Sequence, residues 1–384
     1  MILKYSILLM TLICCAEAHS EITGPPIVDN NYNLDLRQGP IIGSARQVAL
    51  GGAYIGVAEG ITSLNSNPAG VAFRPERSTT VFDWDWTASL NNLKSNDFDN
   101  NGQSPPDYKS HQIRSLGLMG QYGPWGIGIL SNGEILALES ADGSEDEYIL
   151  SSTVLALGRQ FWERELTVAV GMRATTSKLR DKPFDATLGK LSGIGWELGG
   201  VWNPQRGPFR FGLAYTSSIS SSQSLDNTSG SPVTVNGLII PQQVILPASL
   251  GVGVSYEVKS APFWQGHKWL VASDLVFTAA SDNAVGVESV LAQRIQYVGT
   301  HDTVSVRLGS ELETIPGRLR LRLGSYYEPS FYEGVASRTH LTGGFEVRLF
   351  HSSFGGEHDW GLSVTADSAR DYLNIIVALG FWYF

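Results

Sequence analysis

The side chains of this 384-residue chain able to do acid–base, nucleophilic or metal chemistry are scattered and do not fall into catalytic spacings. Its seven histidines, His19, His111, His267, His301, His340, His351 and His358, stand apart, mostly near predicted loops or strand ends. No H-E-x-x-H metal motif, G-x-S-x-G nucleophile elbow or G-x-x-x-x-G-K-[ST] phosphate loop occurs. His301-Asp302 and His358-Asp359 set a base beside a carboxylate, but neighbours in a strand point to opposite faces, so neither makes a usable pair. No enzyme is expected. The acidic stretches Asp97/Asp99/Asn100 and Asp142/Glu145/Asp146/Glu147 offer oxygen ligands for calcium, yet they lack the spacing of a calcium loop and are read as solvated loops. Both cysteines, Cys14 and Cys15, lie near the start of the chain. No disulfide, metal site or other cofactor is therefore expected.

The informative charges alternate with apolar residues. In Arg318-Leu319-Arg320-Leu321-Arg322-Leu323 the arginines and leucines occupy opposite faces of a strand. An arginine facing lipid at mid-membrane costs about 2–4 kcal/mol in a barrel, so Arg318, Arg320 and Arg322 are assigned to a lumen. The same alternation puts Arg307, Glu311 and Glu313 on one face, Glu346 and Arg348 on another strand's inner face, and Asp83, Asp85 and Asp274 inward on theirs. Two roles stay open for these charges. They form ion pairs that hold the wall and any plug, or some arginines attract the carboxylate of a passing ligand.

The elements that position them read as strands at 78–90, 109–122, 124–138, 147–161, 164–178, 189–203, 208–219, 243–258, 268–279, 300–313, 317–329, 338–350, 358–366 and 371–384. These strands predict an all-β fold, a fourteen-stranded transmembrane antiparallel barrel whose connections alternate between long outer loops and short inner turns. Segment 280–299 is read as an outer loop, because a further strand there would make the count odd. Hydrophobic residues make up 42% of the chain and charged residues 17%, yet beyond the first residues no apolar run is long enough for a spanning helix. A net charge of −10 argues against a nucleic-acid partner. Lys4, the apolar run from Ser6 to Cys15, and Ala16-Glu17-Ala18 read as a signal peptide over 1–18. At the other end the strand closes on Phe381-Trp382-Tyr383-Phe384, in which Trp382 and Phe384 resemble the assembly signal of outer-membrane barrels. A bacterial outer-membrane location, an encounter with its assembly machinery, and a monomer are the corresponding expectations.

Between the leader and the barrel proper (78–384) lies a segment, 19–77, without strand patterning. Irregular backbone at membrane depth is tolerated only inside protein or beside water, which places this segment as a plug in the lumen. It contains Leu50-Gly51-Gly52-Ala53-Tyr54 and then Asn67-Pro68-Ala69-Gly70. With these stretches, and with Asp302–Glu311 and Leu321–Tyr327, the chain resembles the FadL/TodX family of outer-membrane transporters and the related PorV-like barrels. The resemblance implies an N-terminal hatch with Asn67-Pro68-Ala69 as its turn, and passive uptake of hydrophobic compounds such as long-chain fatty acids or aromatic hydrocarbons. Where relatives carry an acidic pair after the Ala-Tyr stretch, this chain has Glu59-Gly60-Ile61-Thr62, so charge-driven movement of the hatch lacks its usual residues. Two other roles remain: a PorV-like partner barrel in protein secretion or surface attachment, and a structural surface protein. Both faces of the last strand are apolar, as a greasy lumen requires.

Overall fold

The computed structural model describes residues 22, 24–37, 39–74, 81–95, 97–103, 108–139, 145–181, 186–222, 232–235, 237–353 and 356–381. Fourteen antiparallel strands close into a barrel: β1 (Phe82–Ser95), β2 (Tyr108–Tyr122), β3 (Trp125–Glu139), β4 (Glu145–Phe161), β5 (Leu166–Asp181), β6 (Ala186–Trp202), β7 (Phe209–Thr216), β8 (Ser249–Val258), β9 (Trp269–Thr278), β10 (Thr303–Ile315), β11 (Leu319–Glu328), β12 (Arg338–Ser352), β13 (His358–Ala369) and β14 (Tyr372–Phe381). β14 pairs with β1 from Thr87↔Gly380 to Ser95↔Tyr372, which removes the sheet edges that would otherwise expose unpaired backbone groups. The architecture is that of an outer-membrane barrel.

Period-two alternation decides which side chains meet lipid. On β11 Leu321 and Leu323 are exposed while Arg320 and Arg322 are buried; on β2 and β3 Leu116, Leu118, Ile127 and Ile129 likewise point outward. Tyr122, Trp125, Phe161, Trp162, Trp202 and Phe209 are exposed at the end carrying the short turns, where amphipathic rings form an interfacial girdle.

Two expected strands end earlier or begin later than the pattern suggested. The run 243–258 divides at Pro247, whose nitrogen cannot donate to a ladder; Gln243–Leu246 leaves the barrel and β8 starts at Ser249. The run 208–219 likewise stops at Thr216, and Ile219–Ser222 pairs with Gln243–Leu246. Together with Asn33–Asp35 and Ala284–Val285 they form a separate four-stranded sheet. Segment 280–299 adds no barrel strand, in line with its reading as a loop; it holds Ala284–Val285 and the short helix α2 (Val287–Ala292). Trp382, Phe384 and residues 1–21 lie outside the described residues.

Residues 39–74 run through the ring of strands. Helix α1 (Ala45–Ala49), capped by the Ser44 hydroxyl accepting from Gln47 N at 3.2 Å, packs against β11, β12, β13 and β14. The 3-10 turns Ile61–Asn65 and Pro68–Val71 pack against β1 to β6. Close approach is possible because the wall is glycine at the contact: a Cβ on Gly309 or Gly324 would run into Leu50 and Gly51 backbone atoms. The apolar inner face of β14 is thus accounted for by packing, since Ile376 and Ala378 join Ile41, Ala45 and Val48 in one buried cluster.

Candidate functional site

The strand register brings the late-strand charges together. Glu311 stands opposite Arg322, Glu313 opposite Arg320, and Arg320 opposite Glu346. Arg322 donates from Nε to Glu311 Oε2 at 2.5 Å and reaches Glu346 with its other nitrogen; Arg320 lies 3.8 Å from Glu346. The chain of charge continues into the N-terminal segment. Arg46 grips Glu311 with two nitrogens at 2.9 and 3.0 Å and Glu59 with a third at 2.7 Å. Glu59 in turn accepts from Arg210 at 2.5 Å, and Arg210 donates to Glu257 at 2.6 Å. Alternating signs therefore run from β8 and β7, through Glu59 and Arg46, to β10, β11 and β12. In this chain Glu59, Glu257, Glu311 and Glu346 each meet an arginine, and Arg46, Arg210, Arg320 and Arg322 each meet a glutamate, as buried ions require.

Hydrogen bonds to the backbone hold the rest of the segment. Asp274 Oδ2 accepts from the backbone N–H groups of Tyr54 at 2.6 Å and Ile55 at 2.8 Å, and Asp85 accepts from Ile61 N at 2.7 Å. Asn67 caps the turn Pro68–Val71 by accepting from Ala69 N at 3.0 Å, while its amide donates to Ile55 O at 2.9 Å and to Gly200 O on β6 at 3.1 Å. Leu50, Gly51, Gly52, Ala53, Tyr54, Asn67, Pro68, Ala69 and Gly70 are all buried.

Arg307 lies opposite Asp274 in the register, and Glu313 is buried near the inner turn, accepting from Gly317 N at 2.7 Å. Asp83 is half-buried, and its carboxylate takes the N–H of Trp84 at 2.9 Å. Arg318 and Arg348 do not reach the lumen interior. Arg318 precedes β11 in the turn, and Arg348 sits exposed near the inner end of β12, 3.2 Å from Asp359, where the register with β13 shifts between Arg348 and His351 and the alternation lapses over 348–350.

The network's other half, Arg46, Glu59, Arg210 and Glu257, escaped the alternation test. Arg46 belongs to the five-residue helix α1 and Glu59 to irregular backbone, and Arg210 and Glu257 are single charges in otherwise uncharged strands. His340 was also missed. It is fully buried between Asp367 at 2.8 Å and Glu328 at 2.5 Å, with Arg338 on Glu328 at 2.8 Å. In the two adjacent pairs, His358 stacks on Phe381, and Asp302 accepts from Ala280 N at 2.7 Å.

The first acidic loop differs from its expected solvated state. Asp97, Asp99 and Asn100 are buried over the outer mouth, where Asp97 accepts from Asn101 N and Gly102 N, and Tyr332 donates to Asp99 at 2.5 Å. Arg338, α2 and the segment 330–337 close over the loop and exclude water. Burial pushes the Asp99 carboxyl up to about 7, against the lowering effect of the Tyr332 hydroxyl and with a further rise from Asp97. In the second loop Asp142 and the side chains of Glu145 and Asp146 lie outside the described residues, while Glu147 is 3.6 Å from Arg180. Among the described residues no cluster of three or more histidine or acidic side chains is arranged to hold a metal ion.

Between the segment and strands β2 to β5 lies a cavity of about 220 Å³. Its apolar lining comes from Leu36, Pro40, Ile42, Ile113, Leu150 and Leu246, its polar lining from Asn65, Asn132, Glu134, Ser152, Arg173 and Thr175.

No protein-family model and no curated protein matches the chain. Solved structures do share its fold. The CymD monoaromatic hydrocarbon channel superposes with a TM-score of 0.58 at 13% identity, over 90% of this chain and 98% of that one. The P. putida toluene transporter TodX gives 0.55 at 13% identity over 89% and 98%, and a Pseudomonas aeruginosa FadL homologue 0.53 at 11% identity over 91% and 99%. The chain thus has the fold of the FadL/TodX barrels along nearly its whole length.

Proposed function

We propose that this protein is an outer-membrane channel for passive uptake of hydrophobic compounds, with residues 39–74 as its hatch. The observation that carries the reading is the way this segment is held. It packs on the inner face of the strands through small apolar clusters, such as Ile41, Ala45 and Val48 on Ile376 and Ala378, and its directional ties to the wall are ion pairs and hydrogen bonds, such as Arg46–Glu311 and Tyr54 N–Asp274, that a modest displacement breaks and remakes. The fold shared with hydrocarbon and toluene channels supports the same conclusion. In this reading ligand enters past the outer cap, and movement of the hatch opens the path onward. Glu59, clamped between Arg46 and Arg210, supplies the charged latch.

A tether tests the hatch. Gly199 on β6 faces Asn67 and Pro68 closely enough that a Cβ there would meet both, so Asn67→Cys combined with Gly199→Cys joins hatch to wall. Past Cys14 and Cys15 the chain has no other cysteine to interfere. Uptake of radiolabelled toluene or oleate by cells should stop under oxidation and return with reductant. Uptake unchanged in the fully oxidised pair would reject gating. Deleting 39–74 should open a conducting pore in planar bilayers, and a closed barrel after deletion would reject the plug.

A further inference from the structure

The 220 Å³ cavity carries more than a place for an apolar solute. Its volume suits one ring with small substituents, since an apolar protein cavity of roughly 150 Å³ already accommodates benzene. Half its lining is polar, which an alkyl chain or an unsubstituted ring would leave unused. The state of those polar groups decides the chemistry. Arg173 is committed to Glu197 at 2.5 Å and Ser152 at 3.0 Å, so a ligand carboxylate would have to compete with a buried counter-ion. Glu134 is committed to His111 at 2.5 Å and would repel an anion. Asn132 donates to Asn65 at 2.8 Å, but its buried Oδ1 has no hydrogen-bond partner. Thr175 Oγ1, also buried, has none either.

From this geometry we infer that the cavity binds a neutral, hydroxylated one-ring compound of the phenol or benzyl alcohol class. The ring lies on Leu36, Ile113 and Leu150, and the hydroxyl donates to Asn132 Oδ1 once the amide swings toward the cavity. Thr175 then completes the hydrogen bonding of the same hydroxyl. Because Asn65, in the turn Ile61–Asn65, lines the same cavity as Asn132, the ligand would touch wall and hatch together. The inference rests on the transport reading for its biological sense, but its test needs only binding.

The test is ¹⁹F NMR titration of the full-length protein in detergent with 4-fluorophenol, fluorobenzene and 4-fluorobenzoate. The phenol should bind at least tenfold more tightly than either of the others. Thr175→Val and Asn132→Leu should each erase that preference while leaving fluorobenzene affinity within about twofold, and Leu150→Trp, which fills the cavity, should abolish binding of both. Equal affinity for phenol and fluorobenzene, tightest binding of the benzoate, binding that survives Leu150→Trp, or no binding of the phenol would each overturn the assignment. Tight phenol binding alongside uptake indifferent to the tether would instead reject the gating reading and leave this site standing.

Discussion

Arg46 offers the sharpest perturbation, since it alone carries the ion chain from the N-terminal segment to the far wall. Arg46→Gln removes four hydrogen bonds donated by the guanidinium, two to Glu311, one to Glu59 and one to the Tyr54 hydroxyl, from a site where both carboxylates are nearly enclosed. Losing one partner of a buried pair costs about 3–5 kcal/mol, because the remaining charge stays desolvated. Glu311 keeps Arg322 and Glu59 keeps Arg210, so the lower end of that range applies. About 3 kcal/mol raises the opening equilibrium of the segment by roughly 150-fold. Amide hydrogen exchange over residues 46–58 should speed up by that factor while the amides of β2 to β5 keep their protection. Pairing Arg46→Gln with Glu311→Gln removes one charge of each sign and leaves Arg322 its contact with Glu346. The double variant should therefore be about 2 kcal/mol less damaged than the sum of the singles, a coupling of roughly 30-fold. Additivity to within about 0.5 kcal/mol, or unchanged exchange in Arg46→Gln, would refute the latch.

Three further outcomes follow from neighbouring contacts. Asp274→Ala strands the buried N–H groups of Tyr54 and Ile55, at about 1–3 kcal/mol each, whereas Asp274→Asn keeps an acceptor oxygen; exchange at those two amides should rank alanine well above asparagine. Gly309→Val drives a side chain into the Leu50 carbonyl and should expose 45–57 to limited proteolysis in a barrel that still migrates as folded. Asp99 has its folded value raised to about 7, above the unfolded carboxylate value, so the stability it contributes is complete below pH ~4 and is lost as pH rises through about 7. Protection factors over 97–103, taken relative to the intrinsic exchange rate at each pH, should fall between pH 5 and 8, and Asp99→Asn should flatten that fall.

The barrel was legible from the chain because period two is a local property: a charge at Arg320 and a leucine at Leu321 must part company in any strand, and lipid tolerates one of them. Turn residues such as Gly123-Pro124 then set the count. Where alternation lapsed, tertiary structure decided. Pro247 ended a ladder that composition alone continued, and Ile219–Ser222 found its partner in Gln243–Leu246 rather than in the wall. Asn67-Pro68 announced its turn, but which strand it would meet depended on glycines at Gly199 and Gly200, more than a hundred residues later. The ion chain shows the division most plainly. Its β10–β12 half was written in alternating residues, while Arg46 lies in the five-residue helix α1 and Glu59 in irregular backbone, neither with a period long enough to read. Their partners were fixed only when the barrel closed and put Glu59 and Glu311 within reach of Arg46, and Arg46 and Arg210 within reach of Glu59.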